Sequence, residues 1–152
     1  MIVIIYGHYY TLNNISMENI KVKKNIKLLH YTTIKIGGHT EFFAEPNSIS
    51  ELIEYLKWVK LHNLKYRIIG AGSNLLIKNS FHRGLTICTR KLKKIKIDKH
   101  SGFVEAECGV MLPKVATLLA KNGCEGGEWL IGIPGTIGGA VFMNAGSGNL
   151  WI

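Results

Sequence analysis

Apolar residues recur at helical spacing in two stretches of the chain. Ile49, Leu52, Ile53, Leu56 and Val59 follow an i, i+3, i+4, i+7 stripe behind Ser48 and Glu51, an S-x-x-E capping pair. This pattern predicts a helix ending near His62-Asn63, its stripe turned to the core. Val115, Ala116, Leu118 and Leu119 form the second stripe, opened by Pro113 and closed by Gly123, the residues favoured just inside a helix start and just past its end. The other apolar runs are short and strand-like: Glu41 to Glu45 closed by Pro46, Tyr66 to Ile69, Leu75 to Ile77, Leu85 to Thr89, Ile95 to Asp98 and Phe103 to Cys108. Leu28 to Ile36 is mixed apolar and Thr-rich and runs into Gly37-Gly38. Strands outnumber helices, and the class expected is α+β. No repeat and no Pro/Ser-rich linker marks an internal boundary, so one lobe and two lobes both remain open.

Composition agrees with a folded core: 47% of the 152 residues are hydrophobic and 19% are charged. The formal net charge of +9 favours anionic partners through the field alone. Much of the excess sits in two runs, Lys21, Lys23, Lys24 and Lys27, then Arg90, Lys91, Lys93, Lys94, Lys96 and Lys99. Leu92, Ile95 and Ile97 interrupt the second run, as on the wet side of an edge strand or hairpin, where lysines also discourage edge-to-edge pairing. No aromatics are interleaved and no binding module is recognisable, so no nucleic-acid partner is expected; nor, on separate grounds, is a membrane partner. Cys88, Cys108 and Cys124 are widely spaced, without CxxC or Cys/His ligand spacing, which argues for a reduced, cytoplasmic protein without a metal site. Met1 to Tyr6 is apolar but too short to span a bilayer and lacks a basic flank. The stretch through Ser16 fits nothing downstream, and Met17 reads more naturally as a start.

Two glycine-rich segments carry the candidate chemistry. Gly70-Ala71-Gly72-Ser73-Asn74 opens as GxG, but Leu75 stands where a dinucleotide fingerprint has its third glycine and no helix pattern follows. Its backbone can take positive φ and turn amides toward phosphate oxygens, and Ser73 and Asn74 add polar side chains. A plain glycine-rich turn between strands is the competing reading. The second segment, Gly132-Ile133-Pro134-Gly135-Thr136-Ile137-Gly138-Gly139-Ala140, continues into Val141-Phe142-Met143-Asn144-Ala145-Gly146. Its glycines are too dense for a stable helix interior, and such a segment lets something large or flat approach the main chain.

Taken in order, Thr33 to Gly38, Gly70 to Leu76, Gly109-Val110-Met111-Leu112-Pro113 and Gly132 to Gly146 resemble successive motifs of the MurB-type UDP-N-acetylenolpyruvoylglucosamine reductases. The resemblance runs from about Leu28 to Gly146 and is most specific in its last motif. It implies an FAD-binding fold of the vanillyl-alcohol-oxidase (PCMH) type, with two small α+β lobes holding the cofactor. Carried over by motif, Gly70, Ala71, Gly72, Ser73, Asn74 and Leu75 would receive the FAD diphosphate. Gly132, Ile133, Pro134, Gly135, Thr136, Gly138, Gly139, Asn144, Ala145 and Gly146 would line the cofactor as far as its flavin end. Backbone N–H groups would be the main donors, with Ser73, Asn74 and Thr136 adding side-chain hydrogen bonds.

The resemblance also implies a reaction. NADPH reduces the flavin, which passes hydride to the enolpyruvyl double bond of a UDP-sugar, giving UDP-N-acetylmuramate for peptidoglycan synthesis. The family's proton-donating serine, its assisting glutamate and its Tyr-Arg substrate pair lie beyond the matching segment, so no catalytic residue is assigned here. The expected organisation is an extension over 1–27, the FAD-binding domain over 28–146 and a divergent, truncated end over 147–152, with a substrate domain supplied elsewhere. Ser147 belongs to the tail of the FAD motif and is not the catalytic serine. An inactive flavin-binding remnant or module is the alternative.

Overall fold

The computed structural model describes residues 20–152. The expectations for Met1 to Tyr6 and for a start at Met17 concern residues outside that range. The described chain divides into two compact units, one ending at Lys91 and the other spanning Leu92–Ile152. Each combines helix and sheet, the α+β class expected.

In the first unit, β1 (Lys23–Lys27), β2 (His39–Ala44), β3 (Tyr66–Ile69) and β4 (Phe81–Cys88) form one sheet in the order β1-β2-β4-β3. β1 runs antiparallel to β2, while β2 and β3 both run parallel to the central β4. β1 falls inside the 1–27 segment that the sequence reading sets apart as an extension, yet its ladder begins at Lys23, paired with Phe43. Its lysines face water as an edge strand's should, with Lys23 Nζ 2.9 Å from Glu45 Oε2. β4 starts earlier than the Leu85 expected, because Gly84 interrupts the apolar alternation. Between the Thr40–His82 and Phe42–Leu85 pairs β4 carries one more residue than β2. Gly84 sits there at φ 88°, and its N–H donates to Glu41 Oε2 at 2.7 Å.

Leu75 to Ile77, expected as a strand, pairs with nothing. Its period-two pattern survives for packing alone: Leu75 and Ile77 pack against Leu28, Phe43, Ile69 and Cys88, while Leu76 is 80% exposed. With β2 and β3 already flanking β4, that strand has no free edge to offer.

α1 (Ile49–Leu61) forms where the stripe places it. Ser48 Oγ accepts the Glu51 N–H at 3.2 Å, whereas the Glu51 carboxylate reaches back to the Asn47 N–H at 2.8 Å instead of the cap residue itself. Ile49 is turned outward at 38% exposure, and Tyr55 and Trp58 join the packed face, Trp58 meeting Phe42 edge-on at 5.4 Å. Asn63, at φ 49°, closes the helix: its N–H donates to Lys60 O and that of Leu64 to Val59 O, a Schellman motif.

In the second unit, β5 (Ile95–Ile97) and β6 (Val104–Ala106) form an antiparallel hairpin. Of the second basic run only Lys96 lies on its strands, exposed and 3.9 Å from Glu105, while Arg90 and Lys91 fall in the turn that ends the first unit. α2 (Leu112–Lys121) follows, burying Leu112, Val115, Ala116 and Leu119 against Val104, Val110 and Leu130. α3 (Ile137–Phe142) then runs into a small hairpin of β7 (Gly146–Ser147) and β8 (Leu150–Trp151). The segment 147–152 is therefore structured, and its Trp151 lies against Gly146, where a Cβ would come within 2.5 Å of the indole.

Candidate functional site

The first glycine loop follows β3, and the Thr89–Lys91 turn follows β4. Because β3 and β4 are parallel and Ile69 pairs with Cys88, the residues just beyond them emerge side by side at the carboxyl end of the sheet. Such ends are where open sheets with parallel strands present ligand sites. The parallel pairing also rules out a hairpin: Gly70 to Ser80 must return to the opposite end of the sheet before β4 can begin.

Arg90 occupies the place this geometry creates. Its Nε donates to Gly70 O at 3.1 Å, and one terminal nitrogen donates to Tyr31 O at 2.9 Å and also to Ala71 O. Its guanidinium carbon stands 5.6 Å from the centroid of the Tyr31 ring, whose centroid in turn lies 4.4 Å from that of Phe43. Burial, together with the charge of Glu45, pushes the Tyr31 phenol above its ordinary value. The Gly72 carbonyl is held from another side, accepting Thr33 N–H at 3.1 Å and Thr33 Oγ1–H at 3.3 Å. Gly72 itself, at φ 74°, leaves no room for a side chain, since a Cβ would lie 2.0 Å from Tyr31 O.

With the carbonyls of Gly70, Ala71 and Gly72 fixed, the following amides are fixed as well. None of the described peptides is cis, and in a trans peptide the N–H points opposite to the C=O that precedes it. The N–H groups of Ala71, Gly72 and Ser73 therefore point away from Arg90 and Thr33. Asn74 is exposed beside them, while Gly70, Ala71, Ser73 and Leu75 are half-buried.

The second glycine segment is pinned to residues 108–112. Leu112 N–H donates to Gly135 O at 3.0 Å, Ile137 N–H to Val110 O at 2.8 Å and Gly138 N–H to Cys108 O at 2.9 Å. Contrary to the expectation from glycine density, Gly138 and Gly139 lie within α3. Two features offset their poor propensity. A Cβ on Gly138 would stand 2.7 Å from Cys108 Cβ, so close approach requires glycine there, and Thr136 Oγ1 caps the helix by accepting the Gly139 N–H at 3.4 Å. Thr136 is 1% exposed, so its hydroxyl serves the cap. Asn144, at φ 46°, ends α3 in the same Schellman geometry as Asn63, with Ala145 N–H on Ala140 O at 2.8 Å. Gly132, Pro134, Gly139 and Asn144 remain exposed, whereas Ile133 and Gly135 are buried.

The four sequence motifs thus join in pairs, Thr33 to Gly38 buttressing Gly70 to Asn74, and Gly109 to Pro113 buttressing Gly132 to Gly139. Arg90 and Tyr31 were missed by sequence reasoning. Arg90 was hidden in a basic run, and the only signal was its place two residues beyond a strand whose parallel pairing composition does not reveal. Among the described residues no group of three or more His, Cys, Asp or Glu side chains could hold a metal ion, and no helix is long and apolar enough to cross a membrane. Cys88 is fully buried, and that burial pushes its thiol above the ordinary value.

Residues 40–150 match the FAD binding domain family. The UDP-N-acetylenolpyruvoylglucosamine reductase of Prochlorococcus marinus subsp. pastoris is 58% identical over 134 residues, covering 88% of this chain and 45% of that protein. The crystal structure of the Thermus caldophilus UDP-N-acetylenolpyruvylglucosamine reductase (MurB) superposes with a TM-score of 0.62 at 31% identity, covering 84% of this chain and 43% of that one. A likeness of fold alone extends to 6-hydroxy-D-nicotine oxidase from Arthrobacter nicotinovorans, with a TM-score of 0.54 at 14% identity over 75% of this chain and 26% of that one. The chain spans less than half the length of the curated relatives it matches, 45% for the Prochlorococcus protein. By the match over most of its length, the chain belongs to the FAD binding domain family.

Proposed function

We propose that this chain is the FAD-holding portion of an NADPH-dependent UDP-N-acetylenolpyruvoylglucosamine reductase, a cytoplasmic enzyme of peptidoglycan synthesis and hence of cell shape and division. The observation that carries the reading is the row of amides at Ala71, Gly72 and Ser73. They are set at the carboxyl end of parallel strands by carbonyls tied down on their other side. Such a row suits the diphosphate of a dinucleotide, because each N–H donates to a charged oxygen without desolvating a side chain. In the other unit, the exposed Gly132, Pro134, Gly139 and Asn144 present main chain that a flat ligand can approach closely. When bound, FAD supplies the hydride chemistry, and these residues bind and orient it. Proton donation and recognition of the UDP-sugar belong to the remainder of such an enzyme. In this reading residues 1–152, taken as a polypeptide, bind FAD and do not turn over.

The test is direct. The purified 152-residue chain titrated with FAD quenches flavin fluorescence to a saturating end point, and it shows no NADPH oxidation with the enolpyruvyl UDP-sugar. A chain that leaves flavin fluorescence unchanged at every concentration refutes the cofactor assignment. Turnover by the chain alone refutes the division of labour.

A further inference from the structure

Arg90 lies outside both glycine segments, and everything it touches in the loop is a carbonyl oxygen. We propose that Arg90 is the positioning residue of the anion cradle. It holds the Gly70, Ala71 and Tyr31 carbonyls on one side of the loop, so that the amides of Ala71 and Gly72 face a diphosphate on the other. This rests on the diphosphate reading above and goes beyond it by naming what shapes the cradle.

Three features support the assignment. An arginine is suited to the task, because its planar fork presents fixed donors to several acceptors at once, whereas lysine offers a point charge on a flexible stem. The fork is itself held in place, by the face of Tyr31 at 5.6 Å and by the backbone of the Thr89–Lys91 turn, whose start is fixed by Thr89 Oγ1 donating to Ile69 O at 3.3 Å. Finally, a full positive charge behind the carbonyls raises the potential on the amide side of the same peptides, where an anion benefits from it. Arg90 needs no contact with the ligand for either effect.

The experiment compares FAD with riboflavin, which carries the same ring system and no phosphate, on the full chain and its Arg90→Met and Arg90→Lys variants. Fluorescence quenching gives affinities, and phosphorus NMR of FAD-saturated samples reports the diphosphate environment. In Arg90→Met, FAD affinity falls about tenfold or more, the effect of misaligning one or two charge-assisted hydrogen bonds. Riboflavin affinity is unchanged, and the bound phosphorus resonances move toward those of free FAD. Arg90→Lys, which keeps the charge and loses the fork, falls between. Equal losses for FAD and riboflavin, or phosphorus shifts identical to those of the unmodified chain, mean that Arg90 serves stability alone and overturn the proposal. Should Arg90→Met fail to fold, Arg90→Lys decides, and full retention of its FAD preference is the refuting result. If the unmodified chain binds FAD no better than riboflavin, the diphosphate reading itself falls, which is a separate outcome.

Discussion

Gly72 and Gly123 have nearly the same backbone conformation, φ 74° and 70°, and entirely different surroundings. A Cβ on Gly123 meets nothing within 4 Å, whereas on Gly72 it would lie 2.0 Å from Tyr31 O and 3.0 Å from Thr32 Cα. Replacing each by alanine separates conformational strain from steric conflict. The positive φ costs alanine about 1 kcal/mol at either site. At Gly72 the conflict is with main chain, so the loop must move by more than an ångström. That movement breaks the two Thr33 hydrogen bonds to the Gly72 carbonyl and loosens those from Arg90, each worth about 1 kcal/mol net. Gly72→Ala should therefore cost about 3–4 kcal/mol against about 1 kcal/mol for Gly123→Ala. Urea denaturation followed by far-ultraviolet circular dichroism measures both. If Gly72→Ala costs no more than Gly123→Ala, the loop is not held as described, and the argument that its amides are preset collapses with it.

The buried Thr40 and Thr86 hydroxyls, 2.8 Å apart, form a relay in which Arg67 donates to Thr86, Thr86 to Thr40 and Thr40 to Phe42 O. Thr86→Val strands both neighbours and should cost about 1–3 kcal/mol, while the Thr40→Val/Thr86→Val pair costs less than the sum of the single changes in a double-mutant cycle. Saturating FAD at about 100 times its dissociation constant should stabilise the chain by about 2.7 kcal/mol; a calorimetric melt that FAD does not move contradicts the cofactor assignment. Because burial raises the Cys88 thiol, the native state keeps a proton that the unfolded chain releases. That contribution is complete below the ordinary thiol range and is lost as pH climbs through the raised native value. Between about pH 8 and about pH 10, Cys88→Ala should lose less stability than the unmodified chain in parallel urea titrations.

Elements with local causes were legible in the sequence. The Ser48 cap and the stripe behind it define α1, and Pro113 and Gly123 bracket α2, because helix starts and stops are set within a few residues. β4 was half legible, since Gly84 breaks the alternation, and only the neighbouring β2 shows that the break is a bulge within one strand. Leu75 to Ile77 carries a strand's pattern for a different reason, packing without pairing. At the site, the glycine loops could be located by motif, but not what shapes them. Thr136 reads as a ligand donor and serves as a helix cap, Asn144 closes the same helix, and Arg90 reads as one more surface cation. In each case the deciding partner is supplied by tertiary contact, or by a helix that glycine density argued against.

The ties that shape the first loop all reach across the chain, 39 residues from Thr33 to Gly72, and 20 and 19 from Gly70 and Ala71 to Arg90. The cradle therefore has an order of assembly. Closing such loops costs chain entropy that the completed sheet recovers, and β4, which joins β2 to β3, follows the glycine segment in sequence. A chain that has reached Ile87 contains every residue of Gly70 to Asn74 and the Thr33 partner of Gly72, and lacks the Arg90 partner of Gly70 and Ala71. The second hold on the loop becomes possible three residues later, with Arg90. The full set of ties on this loop therefore exists only once the central strand and the turn after it are in place.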